Sequence, residues 1–223
     1  MLITIAGVLD KDALEQARGL TKLLRWADGA ETAGPTAREV KQNLQADLSS
    51  RSGVQLRDLL TAAIQDHPVV QAAAQPLRYS KLIVSKTEPG GGYGLHIDNA
   101  LMPHGADKMR TDLSFTLFLT DRDEYEGGEL RIEHAGQSIE MKPQAGDLVL
   151  YPSTSLHQVI PVTSGIRLAC VGWIESRIKR SEDRELLFDM TNLKSELSKQ
   201  YSAQSAEMLI SAKILSNMIR RFS

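Results

Sequence analysis

Residues 77–177 consist of short segments rich in β-branched and apolar residues, separated by turns that contain glycine or proline. No helix-length crossover lies between these segments, so neighbouring strands are expected to pair antiparallel. The pattern predicts an antiparallel sandwich or barrel. The predicted strands are 77–86, 112–120, 147–152 and 166–174, and segments 127–133 and 138–142 are predicted to form a hairpin around 134–137. Residues 87–94, which contain four glycines and a proline, are predicted to form a turn-rich loop.

Helical patterns flank this β-rich region on both sides. Asp10 can cap a helix that runs towards Leu24, with Gly29 just past its end, and another helix is predicted around residues 56–64. From Leu186 to Phe222, apolar residues recur at helical spacing, which predicts two helices broken near 202–205 and packed against the barrel. The sequence thus predicts an α+β chain with N-terminal helices, a β core at about 77–177 and a C-terminal helical extension over 178–223.

Composition excludes several classes of partner. The 26 Lys and Arg against 28 Asp and Glu give a net charge of −2, which offers no basic excess for nucleic acid. No apolar run approaches the roughly 18 residues of a membrane span, and the first residues lack the features of a signal peptide. The single cysteine, Cys170, excludes an intrachain disulfide and a multi-cysteine zinc site, and we interpret it as a core residue. We expect a cytoplasmic protein.

Two of the five histidines stand where metal ligands are expected. His96 and Asp98 are two residues apart in a strand-like segment, so both side chains point to one face. His157 begins the apolar segment HQVIPV after a polar turn and can supply a third ligand. The remaining histidines are predicted not to be ligands, because they lie in a helical region, a Pro/Gly loop and a hairpin tip: His67, His104 and His134.

Two histidines and one carboxylate on a shared face form the facial triad of non-haem Fe(II) oxygenases. Arg167 follows His157 by ten residues and lies in a predicted strand, where a cation without an anionic partner is costly. Its guanidinium can bind a carboxylate in a bidentate way. A dicarboxylate that chelates iron at one end would present its other end to Arg167, which describes 2-oxoglutarate.

Longer segments resemble the bacterial PKHD-type hydroxylases, which are Fe(II)/2-oxoglutarate-dependent oxygenases related to prolyl 4-hydroxylases. The resemblance covers essentially the whole chain and implies a double-stranded β-helix, or jelly-roll, core within a dioxygenase domain at 1–177. By the family motif, His96, Asp98 and His157 would bind iron and Arg167 would bind 2-oxoglutarate. The matched segments are YGLHIDNA, SFTLFLTDRDEYEGGEL, KPQAGDLVLYPSTSLHQVIPVTSGIRLACVGWI, the helical tail and TAREVKQNLQ.

The resemblance also implies O2 as a co-substrate, ascorbate as the reductant that keeps iron as Fe(II), and a link to iron uptake. The substrate would be a peptidyl residue or a small molecule. Relatives usually carry tyrosine where this chain has Thr87, which puts a contact to 2-oxoglutarate in doubt. Tyr93 is a further candidate for the pocket. The C-terminal helices could also form a homo-oligomer contact.

Two alternatives use the same residues. A zinc hydrolase can use two histidines and an aspartate, but it has no need for Arg167 at this spacing. A non-catalytic jelly-roll binding module would not need all four residues. Succinate formation under oxygen separates the oxygenase from the hydrolase. Residues 101–110 are interpreted as a surface loop that could act as a lid over the site.

Overall fold

A computed structural model of the protein describes residues 1–32 and 39–223. The segment TAREVKQNLQ begins at residue 36, so its first three residues lie outside the described residues. Within the described ranges, no helix is long and apolar enough to cross a membrane.

Helices frame the sheets at both ends of the chain. Asp10 caps the first of them by accepting a hydrogen bond from the backbone N–H of Ala13, as the sequence predicts. This helix ends at Thr21 and not near Leu24, because the N–H of Leu24 bonds to Thr21 in a turn. The helices are α1 (Lys11–Thr21), α2 (Arg51–Gln65), α3 (Pro68–Ala74), α4 (Ser181–Leu197) and α5 (Ala206–Phe222).

The strands pair antiparallel throughout the described residues. The larger sheet has the order β1 (Ile3–Ile5), β14 (Leu148–Pro152), β10 (Leu113–Phe118), β17 (Arg167–Ser176), β6 (Ile83–Thr87), β4 (Leu44–Ala46) and β2 (Trp26–Asp28), and β5 (Pro76–Tyr79) also pairs with β17. The second sheet has the order β13 (Gln137–Met141), β12 (Leu130–His134), β15 (His157–Val159), β7 (Gly92–His96) and β3 (Lys41–Gln42). Two further pairs are β11 (Tyr125–Gly127) with β16 (Val162–Gly165), and β8 (Leu101–His104) with β9 (Asp107–Arg110).

The main core lies between the larger sheet and the N-terminal helices. Leu56 and Leu60 of α2 are fully buried in the same cluster as Phe115 and Leu117 of β10. Every residue of β10 is buried, so both faces of this strand are covered. Because side chains alternate along a strand, Ser114 and Thr116 point away from this core and towards a cavity. Cys170 is fully buried in the core, as the sequence predicts.

Three local predictions need correction. The predicted strand 77–86 divides into β5 and β6, because Ser80 leaves the ladder and instead exchanges hydrogen bonds with the backbone of Trp173. The turn-rich segment 87–94 ends early, since β7 already begins at Gly92. The predicted loop 101–110 is the β8–β9 hairpin, and its turn includes Gly105 at φ +61°. The hairpin predicted around 134–137 is present as β12–β13.

The C-terminal helices form a pair that packs on the rest of the chain. α4 contacts both α3 and α5, and Leu187 of α4 is fully buried. The interruption between α4 and α5 begins earlier than predicted, because α4 ends at Leu197. Large apolar side chains remain exposed on the outer faces, so the homo-oligomer contact stays a prediction, as does the division at residue 177. These side chains are Leu186, Leu193, Leu209, Ile210 and Ile214.

Candidate active site

Strands β7 and β15 bring His96 and His157 together. The two residues are direct partners in the antiparallel register, and their ring centroids lie 4.2 Å apart. Nδ1 of His96 lies 2.8 Å from the carbonyl oxygen of Gly94, and Nδ1 of His157 lies 3.1 Å from that of Ser155. Because a carbonyl oxygen can only accept, Nδ1 of each ring carries the proton. The Nε2 atoms therefore keep free lone pairs, as metal ligation requires.

Asp98 follows β7 and completes the cluster. Its side chain is 7% exposed, and its Oδ2 lies 3.7 Å from Nε2 of His157. The candidate ligand atoms of His96, Asp98 and His157 all lie within 4.8 Å of one another. Two imidazole nitrogens and one carboxylate oxygen at this separation could hold a metal ion on one face. The structure thus brings together the three residues expected from the sequence, and their role as ligands stays a prediction.

Burial controls the charge of the groups around the cluster. It is the main cause that lowers the pKa of His96, with the neighbouring His157 second, so the ring is favoured in its neutral form. Tyr93 stacks on His96 with ring centroids 3.6 Å apart, and burial raises the pKa of Tyr93 to about 12. Burial also lowers the pKa of Lys41 to about 8, against the opposing charges of Asp98 and Asp28.

Arg167 begins β17 and is only 2% exposed. Its guanidinium carbon lies 5.0 Å from the ring centroid of Phe118, and its Nε and Nη2 have no hydrogen-bond partner among the described residues. Burial lowers the pKa of Arg167, because the charged form has lost its water. A buried cation with unused donors is costly, so this position suits an anion.

One cavity of about 120 Å³ connects the candidate ligands His96, Asp98 and His157 with Arg167. Tyr93 lines this cavity, and its role in binding stays a prediction. Thr87 lines it too; it is 2% exposed and lies opposite Arg167 in the β6–β17 register. An anion at Arg167 could therefore extend to the candidate metal ligands without leaving the cavity. Other polar lining residues are Ser114, Thr116 and Tyr151.

The sequence analysis missed three residues at this site: Ser114, Tyr125 and Tyr151. Ser114 contacts Asp98, and the ring of Tyr151 lies 5.1 Å from that of His157. The hydroxyl of Tyr125 is buried beside Arg167 without a well-formed hydrogen bond among the described residues; burial raises its pKa, and the charge of Arg167 opposes this. Only the pairing of distant strands places these residues here, so no local pattern could have revealed them.

Comparison with known proteins shows the family. The 2OG-Fe(II) oxygenase superfamily matches residues 77–175. A PKHD-type hydroxylase from Hyphomonas neptunium (strain ATCC 15444) is 49% identical over 222 residues, and the match covers 100% of this chain and 99% of the relative. The chain belongs to the PKHD-type hydroxylases. As a PKHD-type hydroxylase it is an oxygenase of a superfamily that uses Fe(II), 2-oxoglutarate and O2, which confirms the family predicted from the sequence.

Solved structures share the fold of this PKHD-type hydroxylase at low sequence identity. A prolyl hydroxylase from Trichoplax adhaerens, in complex with a peptide fragment of the hypoxia inducible factor oxygen degradation domain, has a TM-score of 0.58 at 16% identity, over 81% of this chain and 86% of that chain. HygX from Streptomyces hygroscopicus, with nickel, 2-oxoglutarate and hygromycin B bound, has a TM-score of 0.53 at 16% identity, over 79% and 83%. The mixed fold with antiparallel sheets is therefore that of 2-oxoglutarate oxygenases.

Proposed function

We propose that this PKHD-type hydroxylase hydroxylates a C–H bond of its substrate and converts 2-oxoglutarate to succinate and CO2. In this proposal His96, Asp98 and His157 hold Fe(II), and Arg167 binds the far carboxylate of 2-oxoglutarate. The observation that carries the proposal is the buried guanidinium of Arg167, whose unpartnered N–H groups lie in the same cavity as the ligand cluster. A zinc hydrolase has no specific need for this buried charge, and a non-catalytic module would tolerate its loss.

The donor set of the site fits the iron that the family implies. Both histidines present unprotonated Nε2 atoms, because their Nδ1 protons are bound to backbone carbonyls. Fe(II) together with 2-oxoglutarate and O2 supplies the oxidising chemistry, and the protein supplies binding, orientation and the exclusion of water. We propose ascorbate as the reductant that maintains Fe(II).

The residues near Arg167 and His96 have separate proposed roles in binding the co-substrate. Thr87 keeps a hydroxyl group, but its side chain is shorter than that of the tyrosine that relatives usually carry. The ring of Tyr125 and the stem of Arg167 both lie beside Gly128, and the Tyr125 hydroxyl interacts with Arg167, so its proposed role is to help hold the guanidinium and the anion bound there. Tyr93 stacks on His96, so its proposed role is to orient that ring.

The sheet arrangement supports a jelly-roll core at about 77–177. β7 and β15 of the second sheet carry the histidines, while β10 and β17 of the larger sheet supply Ser114 and Arg167 from the opposite side. The substrate is proposed to be a peptidyl residue or a small molecule, since one structural neighbour holds a peptide and the other holds hygromycin B. A cytoplasmic location and a link to iron uptake stay predictions.

Substitution of Arg167 tests the proposal. Anaerobic titration of the Fe(II)-loaded protein with 2-oxoglutarate, followed by absorbance, measures co-substrate binding without knowledge of the substrate. Arg167→Ala should weaken this binding by about 30- to 5,000-fold, which corresponds to the loss of a desolvated charge pair worth roughly 2–5 kcal/mol. Arg167→Lys should recover part of the loss, because an ammonium lacks the planar fork.

Arg131→Ala is the matched control. Arg131 lies on β12 and pairs with Glu140 at the surface, so its loss removes an arginine without touching the cavity. Fe(II) binding by Arg167→Ala should stay near that of the original protein. Unchanged 2-oxoglutarate binding in Arg167→Ala would contradict the proposed function. Mass spectrometry of cell extract treated with enzyme, iron and 2-oxoglutarate then identifies a product heavier by one oxygen atom.

A further inference from the structure

Two serine hydroxyl groups connect the candidate ligand Asp98 to the larger sheet. Oγ of Ser114 lies 2.6 Å from Oδ2 of Asp98, and Oγ of Ser153 lies 2.7 Å from Oγ of Ser114. Ser114 is 2% exposed and Ser153 is 4% exposed, so neither hydroxyl is open to bulk water. Ser114 belongs to β10, and Ser153 directly follows β14, its neighbour in the larger sheet.

The number of available protons fixes the direction of these hydrogen bonds. A metal-binding carboxylate can only accept, so the proton in the contact with Asp98 comes from Ser114. A serine hydroxyl has one proton, and Ser114 has then used it. Ser153 must therefore donate to Ser114, and both bonds run towards Asp98. Such chains strengthen each member, since a hydroxyl that accepts becomes a better donor.

Asp98 needs this support more than the two histidines do. Each histidine is held by the carbonyl oxygen two residues before it in the chain, that of Gly94 or Ser155. Asp98 lies beyond the end of β7, so no strand ladder fixes its backbone. The two residues after Asp98 are instead hydrogen-bonded to Thr111, which lies just before β10. Thr111 donates its N–H to Ala100 and its hydroxyl to Asn99, at 3.1 and 2.6 Å.

We propose that Ser114 is a positioning residue for the metal site and that Ser153 acts through it. The pair holds the carboxylate of Asp98 in the orientation that faces the two Nε2 atoms before any metal arrives. The proposal rests on the proposed function, because it needs Asp98 to be a ligand. Groups that orient metal ligands typically contribute about 10- to 100-fold to metal affinity.

A double-mutant cycle on metal affinity tests the proposal. Co(II) is the probe, because it resists oxidation better than Fe(II) and its visible absorption reports the geometry of its ligands. Calorimetry would give the Co(II) affinity of the original protein, Ser114→Ala, Ser153→Ala and the double variant. Ser211→Ala is the matched control, since it also removes a buried serine hydroxyl that donates a hydrogen bond, on α5 at Met208.

Ser114→Ala should lower Co(II) affinity by about 10- to 100-fold and change the visible spectrum. Ser153→Ala should have a smaller effect that disappears in the Ser114→Ala background, because Ser153 reaches Asp98 only through Ser114. Ser211→Ala should leave both the affinity and the spectrum unchanged. The positioning role of Ser114 would be overturned if Ser114→Ala left both the affinity and the spectrum unchanged. The role of Ser153 would be overturned if Ser153→Ala had equal effects in both backgrounds. Either result would leave the metal site itself unaffected. A failure of the original protein to bind Co(II) would overturn both.

Discussion

His157 and His96 are cross-strand partners, and each donates its Nδ1 proton to the carbonyl oxygen two residues before it. The same type of hydrogen bond to the local backbone therefore sets the tautomer of both rings. It depends only on the backbone just before each histidine, so it exists before any metal binds. The two Nε2 atoms are left to face the cavity together with Asp98.

His157→Asn separates the backbone contact from metal ligation. An asparagine amide can donate to Ser155 as Nδ1 does, but it has no atom at the position of Nε2. We expect a folded protein whose Co(II) affinity falls by more than the roughly 100-fold upper value for groups that only orient ligands. Calorimetry and thermal unfolding would measure the two effects. His134→Asn, at the end of β12 and away from the cavity, is the control, and full Co(II) affinity in His157→Asn would exclude His157 as a ligand.

Gly128 makes room for the stem of Arg167. Its φ is +68°, and a Cβ there would lie 3.0 Å from Cδ of Arg167. Gly128→Ala should therefore displace the guanidinium and weaken 2-oxoglutarate binding, besides a backbone cost of about 1–2 kcal/mol. Anaerobic titration with 2-oxoglutarate and chemical unfolding would separate these effects.

Gly136→Ala is the control for the backbone cost alone. Gly136 has a φ of +78°, but no atom lies within 4 Å of the position of its Cβ. It should show a loss of stability with unchanged 2-oxoglutarate binding. If Gly128→Ala also binds 2-oxoglutarate normally, the stem of Arg167 does not need this space.

Local patterns predicted most of the strand positions at the site, but β7 ends at His96 and Asp98 lies outside it. The spacing of His96 and Asp98, and the start of an apolar strand at His157, depend on neighbours within a few residues. Arg167 was predicted to bind an anion, because the apolar residues of its strand offer a cation no partner. These signals need no knowledge of the tertiary structure, and the structure brings the four residues to one cavity.

The remaining site residues could not be predicted, because their roles arise from contacts between distant segments. Ser114 of the larger sheet contacts Asp98, which follows a strand of the second sheet, and Ser153 contacts Ser114 from the position just after β14. Both faces of β10 are buried, so the alternation of its side chains did not reveal which face points to the site. Strand breaks such as that at Ser80 were missed for the same reason, since the hydrogen bonds that cause them come from Trp173.

Cys170 should be unreactive in the folded protein. Burial raises the pKa of its thiol from 9.0 to about 12, and only the thiolate reacts quickly. Because the folded pKa is raised, its contribution to stability is fully present below pH 9 and is lost as the pH rises towards 12. Labelling with a disulfide reagent at pH 8 should be slow in native buffer and fast in urea. Equally fast labelling in both would show that the core around β17 is open to solvent.

Leu187 and Leu186 allow a matched test of how the C-terminal helices pack. Leu187 is fully buried against the rest of the chain, whereas Leu186 is 51% exposed on the same helix, α4. Leu187→Asp should lower the free energy of unfolding by at least the roughly 2–5 kcal/mol of a large-to-small core substitution, because it also buries a charge.

Leu186→Asp should change the free energy of unfolding by no more than about 0.5 kcal/mol, as is usual at the surface. Urea unfolding and light scattering would measure both variants. Deletion of 180–223 should behave like Leu187→Asp and cause aggregation, because it uncovers the apolar surface that α4 protects. If the two leucine variants are equally stable and the truncated chain is soluble and binds Co(II) normally, the extension is dispensable. Residues 1–179 would then hold the site without it.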